Sequence, residues 1–332
     1  MNTLQAPPAL AALLEDPEVT DVLINGPEAV WVDGANGMRR MALHLGDAAA
    51  IRALAVRLAA QGGRRLDDAS PMVDAHLPGG VRMHAVVPPV APHGPLISFR
   101  VFRREGLTLA DLQASGTVDP TGAEVLRALV RARINLLVSG STGAGKTTLL
   151  SALISLTDPT QRMVVIEEAQ EIITSHPHTV RLEARSANAE GRGLVTLTDL
   201  VRESLRMRPD RIILGECRGP EVREVLTALN TGHEGSAATI HANSCHDVPA
   251  RLAALGSLAE MDGRTVAAQA AAALGAVVHL TRSANGSRRV QEVAVFSLEE
   301  GTLVATPALS FGSGSPQIGP GWKPLNRKLA QC

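Results

Sequence analysis

The chain has 332 residues, of which 45% are hydrophobic, 20% are charged and only 2% are aromatic, and its formal net charge is −1. This length allows two domains with separate cores, and the composition is that of an ordinary globular protein. The near-neutral charge and the scarcity of aromatic side chains argue against a general nucleic-acid surface or a base-stacking platform. We therefore expect no direct nucleic-acid binding.

The sequence also limits the metal, redox and membrane classes. Its three cysteines are Cys217, Cys245 and Cys332, and no two of them form a C-x-x-C motif, which argues against a zinc ribbon. The odd number of cysteines fits a reducing cytosol. The N-terminus lacks the basic segment of a secretory signal, and the nearly uncharged residues 265–280 are too short and too weakly apolar to cross a bilayer. We expect a cytoplasmic protein that reaches the inner face of a membrane through partner proteins.

Residues 1–108 predict a small α+β domain. Apolar residues recur at helical spacing over 9–15 and 47–60, and short apolar runs predict strands at 21–24, 30–32, 81–87 and 96–102. We interpret residues 109–121 as the connection to the next domain.

Residues 122–300 alternate strand and helix patterns. Apolar runs at 134–138, 163–166, 211–214, 237–240 and 276–280 are mostly separated by helical segments. Such alternation predicts an α/β fold, with a largely parallel sheet covered by helices. Residues 301–332 include a Gly/Ser/Pro-rich stretch and are expected to form a poorly ordered tail.

The most specific motif in the chain is the phosphate loop at residues 140–147, which matches G-x-x-x-x-G-K-[ST] between a predicted strand and a predicted helix. Glycines let the backbone N–H groups surround the phosphates of a nucleotide, Lys146 adds a charge toward the β/γ-phosphates, and Thr147 offers a hydroxyl to Mg²⁺. The predicted nucleotide-binding residues of this segment are Gly140, Ser141, Thr142, Gly143, Ala144, Gly145, Lys146, Thr147 and Thr148.

Acidic residues follow two of the predicted strands. Glu167 and Glu168 come after the run 163–166, and Glu216 comes after 211–214. In open α/β sheets the ligand lies at the carboxyl ends of the strands, where such acids could hold a metal ion or orient a water molecule. The alternative interpretation is that each acid is an ordinary solvated strand end.

Histidines and arginines form two further clusters. His233 and His241 flank the strand predicted at 237–240, and His241 could sense a γ-phosphate or polarise Glu216. The alternative is a pair of structural histidines, and no third ligand is spaced for a metal site. Five arginines lie between residues 202 and 218, where they either supply charge to phosphates or form an ordinary charged helix surface; they are Arg202, Arg206, Arg208, Arg211 and Arg218.

These motifs together resemble the type II/type IV secretion traffic ATPases, and within them the TadA/CpaF group of Tad pilus assembly motors. The segments 140–147, 166–171, 202–211, 214–219 and 231–243 occur in family order, and the N-terminal segments 19–26, 70–74 and 97–100 are similar as well. The resemblance covers roughly residues 10–300. It implies a RecA-like P-loop NTPase domain, a smaller N-terminal PAS-like α+β domain, and the cofactors ATP and Mg²⁺.

The resemblance also implies roles for single residues. Glu167 would orient the attacking water and Glu168 would help hold Mg²⁺, although the family commonly has Asp at the position of Glu168. Glu216 would be the Walker B acid, and His233 and His241 would form the family's His box.

Arginines of both domains have counterparts in the family. Arg206, Arg208 and Arg218 match arginines near the nucleotide or the neighbouring subunit. Arg82 and Arg100 match N-terminal arginines that reach the nucleotide.

The sequence supports one leading function and leaves alternatives open. The leading hypothesis is a homo-hexameric, Mg²⁺-dependent ATPase that pushes on an inner-membrane platform protein to power Tad or type IV-like pilus assembly or type II/IV secretion. The first alternative is the same enzyme serving type IV secretion or conjugation, and the second is a nucleotide-gated structural ring with little turnover. A DNA-directed RecA-type motor is disfavoured by the charge and the aromatic content.

Overall fold

The computed structural model describes residues 4–34, 37–101, 106–185, 187, 192–283, 286–312 and 314–330. The chain separates into two compact units that meet in sequence near residue 105. Cys332 lies outside the described residues, while Cys217 and Cys245 are free and buried. None of the helices in the described ranges is long and apolar enough to cross a membrane.

The first unit is an antiparallel sheet packed on two helices. Its elements are α1 (Pro8–Glu15), β1 (Val19–Ile24), β2 (Val30–Gly34), β3 (Arg39–Met41), α2 (Ala48–Gln61), β4 (Met72–Leu77), β5 (Val81–Val86) and β6 (Leu96–Val101). The strand order is β3-β2-β1-β6-β5-β4. Alternate residues of the strands, such as Val22, Met83 and Phe99, are buried in one core together with Leu54 and Leu58 of α2.

The second unit has a mixed sheet with helices on both faces. Its helices are α3 (Leu109–Ala114), α4 (Pro120–Arg131), α5 (Lys146–Ile154), α6 (Leu197–Ser204), α7 (Val222–Leu229), α8 (Val248–Leu258), α9 (Gly263–Ala273) and α10 (Trp322–Leu329), with a 3-10 turn at Leu205–Met207. Its strands are β7 (Leu136–Gly140), β8 (Met163–Glu167), β9 (Thr179–Glu183), β10 (Arg211–Cys217), β11 (Ala237–His241), β12 (Ala276–Arg282), β13 (Arg288–Glu299), β14 (Thr302–Ser310) and β15 (Gln317–Ile318).

The strand order of this sheet is β15-β14-β13-β12-β7-β11-β10-β8-β9. The strands from β12 to β9 run parallel to one another, and β13, β14 and β15 continue the sheet in antiparallel fashion. Two hydrophobic clusters cover the two faces. The α/β fold class expected from the sequence is therefore confirmed, and the parallel strands end at one common edge.

Two segments differ from the expectation. Residues 109–121, expected to connect the domains, contain α3, and both Leu109 and Leu112 are buried in a core of the second unit. Residues 301–332, expected to be a poorly ordered tail, contain β14, which pairs with β13, and α10, whose Leu325 is fully buried. Alternating apolar residues such as Leu303 and Ala305 bury one side of β14 and outweigh the Gly/Ser/Pro content further on.

Candidate functional site

The phosphate loop lies where β7 ends and α5 begins. Gly145 precedes the helix with φ +94°, and Gly143 has φ +73°, backbone conformations that favour glycine. Lys146 is buried, and its Nζ donates to the carbonyl oxygens of Gly140 (3.2 Å) and Ser141 (3.1 Å). Burial lowers the pKa of Lys146, while the charges of Glu216 and Glu171 act in the opposite direction. The ammonium group of Lys146 is therefore held against the first residues of the loop, near the carboxylates of Glu216 and Glu171.

A chain of three side chains links the phosphate loop to the end of β10. Lys146 Nζ donates to His241 Nδ1 (3.3 Å), and His241 Nε2 donates to Glu216 Oε1 (2.6 Å). Parallel pairing explains this meeting, because His241 of β11 lies beside Gly140 of β7. Burial and the charge of Lys146 lower the pKa of His241 against the pull of Glu216, so the neutral imidazole can accept on one side and donate on the other. Of the two roles considered for His241, the contact with Glu216 is observed.

Glu167 faces the backbone of its own loop. It is 5% exposed, and its Oε1 accepts hydrogen bonds from the N–H groups of Glu171 (2.9 Å) and Ile172 (2.7 Å), while Arg181 donates to Oε2 (3.3 Å). Burial raises the pKa of Glu167 to about 7 in spite of these donors. A Cβ at Gly215 would lie 2.9 Å from Glu167 Cγ, so the glycine before Glu216 makes room for this carboxylate. Glu167 thus positions the segment 168–172 in this structure.

Glu168 forms a salt bridge with Arg218 at the same edge of the sheet. Arg218 Nε donates to Glu168 Oε1 (3.0 Å), and a second bond joins the other ends of the two groups. Glu168 directly follows β8, which pairs with β10, and Arg218 directly follows β10. The structure therefore brings Glu168 and Arg218 together just beyond the ends of β8 and β10.

Sequence reasoning missed two groups beside the loop. His279 Nδ1 is 2.9 Å from Ser139 Oγ, and both side chains are buried; burial lowers the pKa of His279. The segment after Glu167 also runs along α5, since Ile173 N donates to Ser151 Oγ (3.2 Å). His279 is 140 positions from Ser139, and only knowledge of the strand order could have paired them.

Three predicted residues lie at the opposite edge of the sheet. His233 precedes β11, and its Nδ1 donates to the carbonyl oxygen of Ala228 (3.1 Å). Arg206 and Arg208 precede β10, and Arg206 forms an ion pair with Glu203 (2.8 Å). The structure does not bring these residues to the phosphate loop of their own chain, because a strand of five residues such as β11 separates the two edges by about 13 Å.

Two other arginines of this cluster, Arg202 and Arg211, are engaged on a helix surface and at the start of β10, respectively. Arg211 is buried and donates to Gln161 (2.7 Å) and to the carbonyl of Gly235 (3.1 Å). Arg202 pairs with Glu224 (2.7 Å). For these side chains the ordinary structural interpretation agrees with the contacts.

The two N-terminal arginines lie in the first unit. Arg82 and Arg100 are opposite each other on β5 and β6. Arg82 Nε contacts both carboxylate oxygens of Asp74 (2.9 and 3.1 Å), and Arg100 pairs with Asp21 (3.2 Å). Within the unit, both arginines are thus held by carboxylates of neighbouring strands.

The residues near the loop fit a Mg²⁺ ion carried by a nucleotide. Thr147 and Glu216 supply hard oxygen donors at this edge, which are the ligands that Mg²⁺ prefers. Among the described residues no cluster of three or more His, Cys, Asp or Glu side chains could hold a metal by itself. That composition suits an ion which takes one or two protein oxygens and completes its shell with phosphates and water.

Comparison with known proteins shows the family. Residues 5–308 match the model of the type II/IV secretion system proteins, and the chain belongs to this family. It is 49% identical over 302 residues to a protein of Mycobacterium tuberculosis with a provisional conjugal-transfer name, covering 89% of this chain and 86% of that one.

Two further proteins are similar to this chain. The chain is 33% identical to the type IV secretion system protein PtlH of Bordetella pertussis, over 71% of this chain and 76% of the relative. The solved structure of the pilus retraction motor PilT with bound ADP is similar with a TM-score of 0.59 at 19% identity, covering 97% of this chain and 86% of that one. This last similarity shows the fold alone.

Proposed function

We propose that the protein is an Mg²⁺-dependent ATPase that drives a type II/IV secretion machine. The observation that carries this proposal is the Lys146–His241–Glu216 chain at the end of the parallel strands. A cation, an imidazole and a carboxylate are in contact there, at the ends of the strands where α/β sheets bind their ligands. Membership of the secretion family supports the same conclusion.

We assign a chemical role to each residue of the site. The N–H groups of the loop and Lys146 would bind the β/γ-phosphates. Thr147 and Glu216 would hold the metal ion, which would supply positive charge beside the phosphates. His241 keeps the Glu216 carboxylate oriented and hydrogen-bonded. Glu167, turned toward the backbone, positions the acidic loop after β8. In this respect the proposal differs from the water-orienting role implied by the family resemblance.

We further propose that the protein works as a homo-hexamer in the cytoplasm, on the inner face of the membrane. Arg206 and Arg208, which lie away from the loop of their own chain, are candidates for contacts across a subunit boundary. Arg82 and Arg100 are candidates for contacts with nucleotide from the first unit. Light scattering with and without an ATP analogue tests the ring; a monomer under both conditions would contradict it.

The cargo has two candidate assignments. The motif pattern favours an assembly motor for Tad pili that acts on a membrane platform protein, whereas the names of the relatives in M. tuberculosis and B. pertussis favour conjugation or type IV secretion. Gene neighbours distinguish them: pilin and platform genes support the first, and relaxase and coupling-protein genes support the second.

A steady-state phosphate-release assay tests the enzymatic proposal against a structural ring with little turnover. We expect the purified protein to release phosphate from ATP in the presence of Mg²⁺, and Lys146→Ala to release none above background. Equal release by both proteins would show that the activity does not arise at this site. No release by the wild-type ring would favour the structural function.

A further inference from the structure

The hairpin formed by β12 and β13 lies directly against the phosphate loop. Leu280 of β12 pairs with Gly140 of β7, so the strand continues past the start of the loop. A Cβ at Gly140 would lie 2.6 Å from the carbonyl oxygen of Leu280, closer than such atoms can approach. The first glycine of the loop therefore also makes room for the backbone of the hairpin.

The other two glycines of the loop face arginines of the same hairpin. A Cβ at Gly143 would lie 3.2 Å from Nη1 of Arg282, and a Cβ at Gly145 would lie 3.2 Å from Cδ of Arg288. Arg288 Nε also donates to the carbonyl oxygen of Gly143 (2.9 Å). Arg282 and Arg288 are partners in the antiparallel register, so the hairpin presents both guanidinium groups to one short stretch of the loop.

We propose that Arg282 and Arg288 form a second wall of the nucleotide site, beside the wall that carries Lys146. Arg288 is a positioning residue, which fixes the peptide between Gly143 and Ala144. The N–H and C=O groups of a trans peptide point in opposite directions. Holding the carbonyl of Gly143 toward the hairpin therefore turns the N–H of Ala144 into the cradle.

The direction of that N–H is visible in the contacts of the loop. Ala144 N lies 3.3 Å from the carbonyl oxygen of Ser141, the same oxygen that accepts a bond from Lys146 Nζ. Two donors thus converge on one acceptor. A phosphate oxygen of the nucleotide would take the place of that acceptor, with Arg288 keeping one of the two donors in position.

Arg282 contributes through its charge. A guanidinium group within a few ångströms of the loop raises the local positive potential and favours a polyanionic ligand. Its contribution therefore depends on salt, whereas the hydrogen bond from Arg288 to Gly143 is set by geometry. The ligand class is a nucleoside di- or triphosphate, so this inference rests on the proposed function.

Arg289 provides a matched control. It follows Arg288 on β13, so its side chain points to the other face of the sheet, and it is exposed. Replacing Arg289 with alanine removes the same charge from the same strand without removing the contact with the loop.

The test measures ADP and ATP binding to the full-length protein by isothermal titration calorimetry with Mg²⁺, and KM and kcat by phosphate release. We expect Arg288→Ala to raise Kd and KM about tenfold, the effect of one charged hydrogen bond, while kcat changes less than threefold. Arg288→Lys, which keeps the charge but lacks the Nε donor, should recover only part of the affinity. Arg289→Ala should stay within twofold of the wild type.

A second variant tests the role of charge. The loss of affinity in Arg282→Ala should shrink as salt rises from about 50 mM to 500 mM, which a purely structural defect would not do. Thermal unfolding without nucleotide shows whether each variant is folded; if Arg288→Ala is not, Arg282→Ala and Arg288→Lys decide the question. If the Arg282 and Arg288 variants have the Kd and KM of the wild type, these two arginines are not part of the nucleotide site.

The outcomes separate this inference from the function on which it rests. If the wild type fails to bind ATP, or if Lys146→Ala binds it equally well, the proposed nucleotide site itself is wrong. If Lys146→Ala loses binding and both arginine variants retain it, the site stands and only the second wall is wrong.

Discussion

The parallel strands begin at one edge of the sheet and end at the opposite edge. The two edges carry similar residue types, but the contacts that those residues make differ. At the edge where the strands end, His241 contacts both Lys146 and Glu216. At the edge where the strands begin, His233 binds a helix carbonyl and Arg206 pairs with Glu203 on the surface. Strand direction separates the two groups, and only the first group surrounds the phosphate loop. Variants at the two edges should therefore behave differently.

The largest effect is expected at Glu216. Glu216→Gln keeps the size of the side chain but removes the charge that holds the metal ion and accepts from His241, so ATP turnover should fall by about 100-fold or more. ATP binding should change less than fivefold, because the loop and Lys146 remain. Phosphate release and calorimetry measure the two quantities; wild-type turnover in this variant would mean that the edge is not catalytic.

A smaller effect is expected at His241. His241→Ala removes the link between Lys146 and Glu216 and should lower kcat about tenfold. His246→Ala, at an exposed histidine five positions further on, is the matched control and should retain wild-type kcat. Equal kcat in the two variants would show that the link is not used.

The lowered pKa of His241 gives a second check on the same contact. The imidazole should stay neutral as the pH falls through 6.5, the usual value for histidine, and should gain its proton only below that pH. An NMR titration of the ring protons measures this directly. A midpoint above 6.5 would contradict the arrangement in which Lys146 donates to this ring.

Glu167 should affect the pH dependence of stability. Its pKa is raised from 4.5 to about 7 in the folded protein, so between these values the folded state holds a proton that the unfolded state has released. This contribution to stability is fully present below pH 4.5 and is lost as the pH rises through about 7.

Chemical unfolding at several pH values measures this effect. In Glu167→Gln the group no longer titrates, so the stability of the variant relative to the wild type should improve between pH 5 and pH 8. Glu124→Gln, at an exposed glutamate of α4, is the control. A difference between Glu167→Gln and the wild type that stays constant with pH would contradict the raised pKa.

The smallest effect is expected at the opposite edge. Arg206 is exposed and its ion pair with Glu203 is on the surface, so Arg206→Ala should change the free energy of unfolding by less than about 0.5 kcal/mol. ATP binding to a single subunit should stay within twofold. A fall in ATP turnover that occurs only in the assembled ring would support a contact of Arg206 across the subunit boundary. A loss of ATP binding in the isolated subunit would contradict the difference proposed between the two edges.

The sequence alone predicts much of the second unit, because its central strands are continuous apolar runs. β7, β8, β10, β11 and β12 all coincide with such runs. Strands β4 and β9 were not predicted: Asp74 and His76 interrupt the apolar residues of β4, and β9 is a half-exposed edge strand. Their pairing depends on the neighbouring strands more than on local composition.

The site was predictable where a motif stands at the end of a strand. Lys146, Glu216 and His241 satisfy that condition, and the structure brings them together. His233 belongs to the same motif as His241, but it stands before the strand instead of after it. Two contacts could not be predicted in this way. Arg288 contacts the phosphate loop and His279 contacts Ser139, and in both cases the partners lie about 140 positions apart, so no local pattern indicates them.

The most direct test of the account is an experimental structure with Mg²⁺ and a non-hydrolysable ATP analogue. We predict that the analogue's phosphates lie in the loop, that Lys146 Nζ leaves the carbonyl oxygens of Gly140 and Ser141 to bind a phosphate oxygen, and that Glu216 lies on the metal side of the γ-phosphate. A nucleotide bound elsewhere, with Lys146 still on those two carbonyls, would contradict the account.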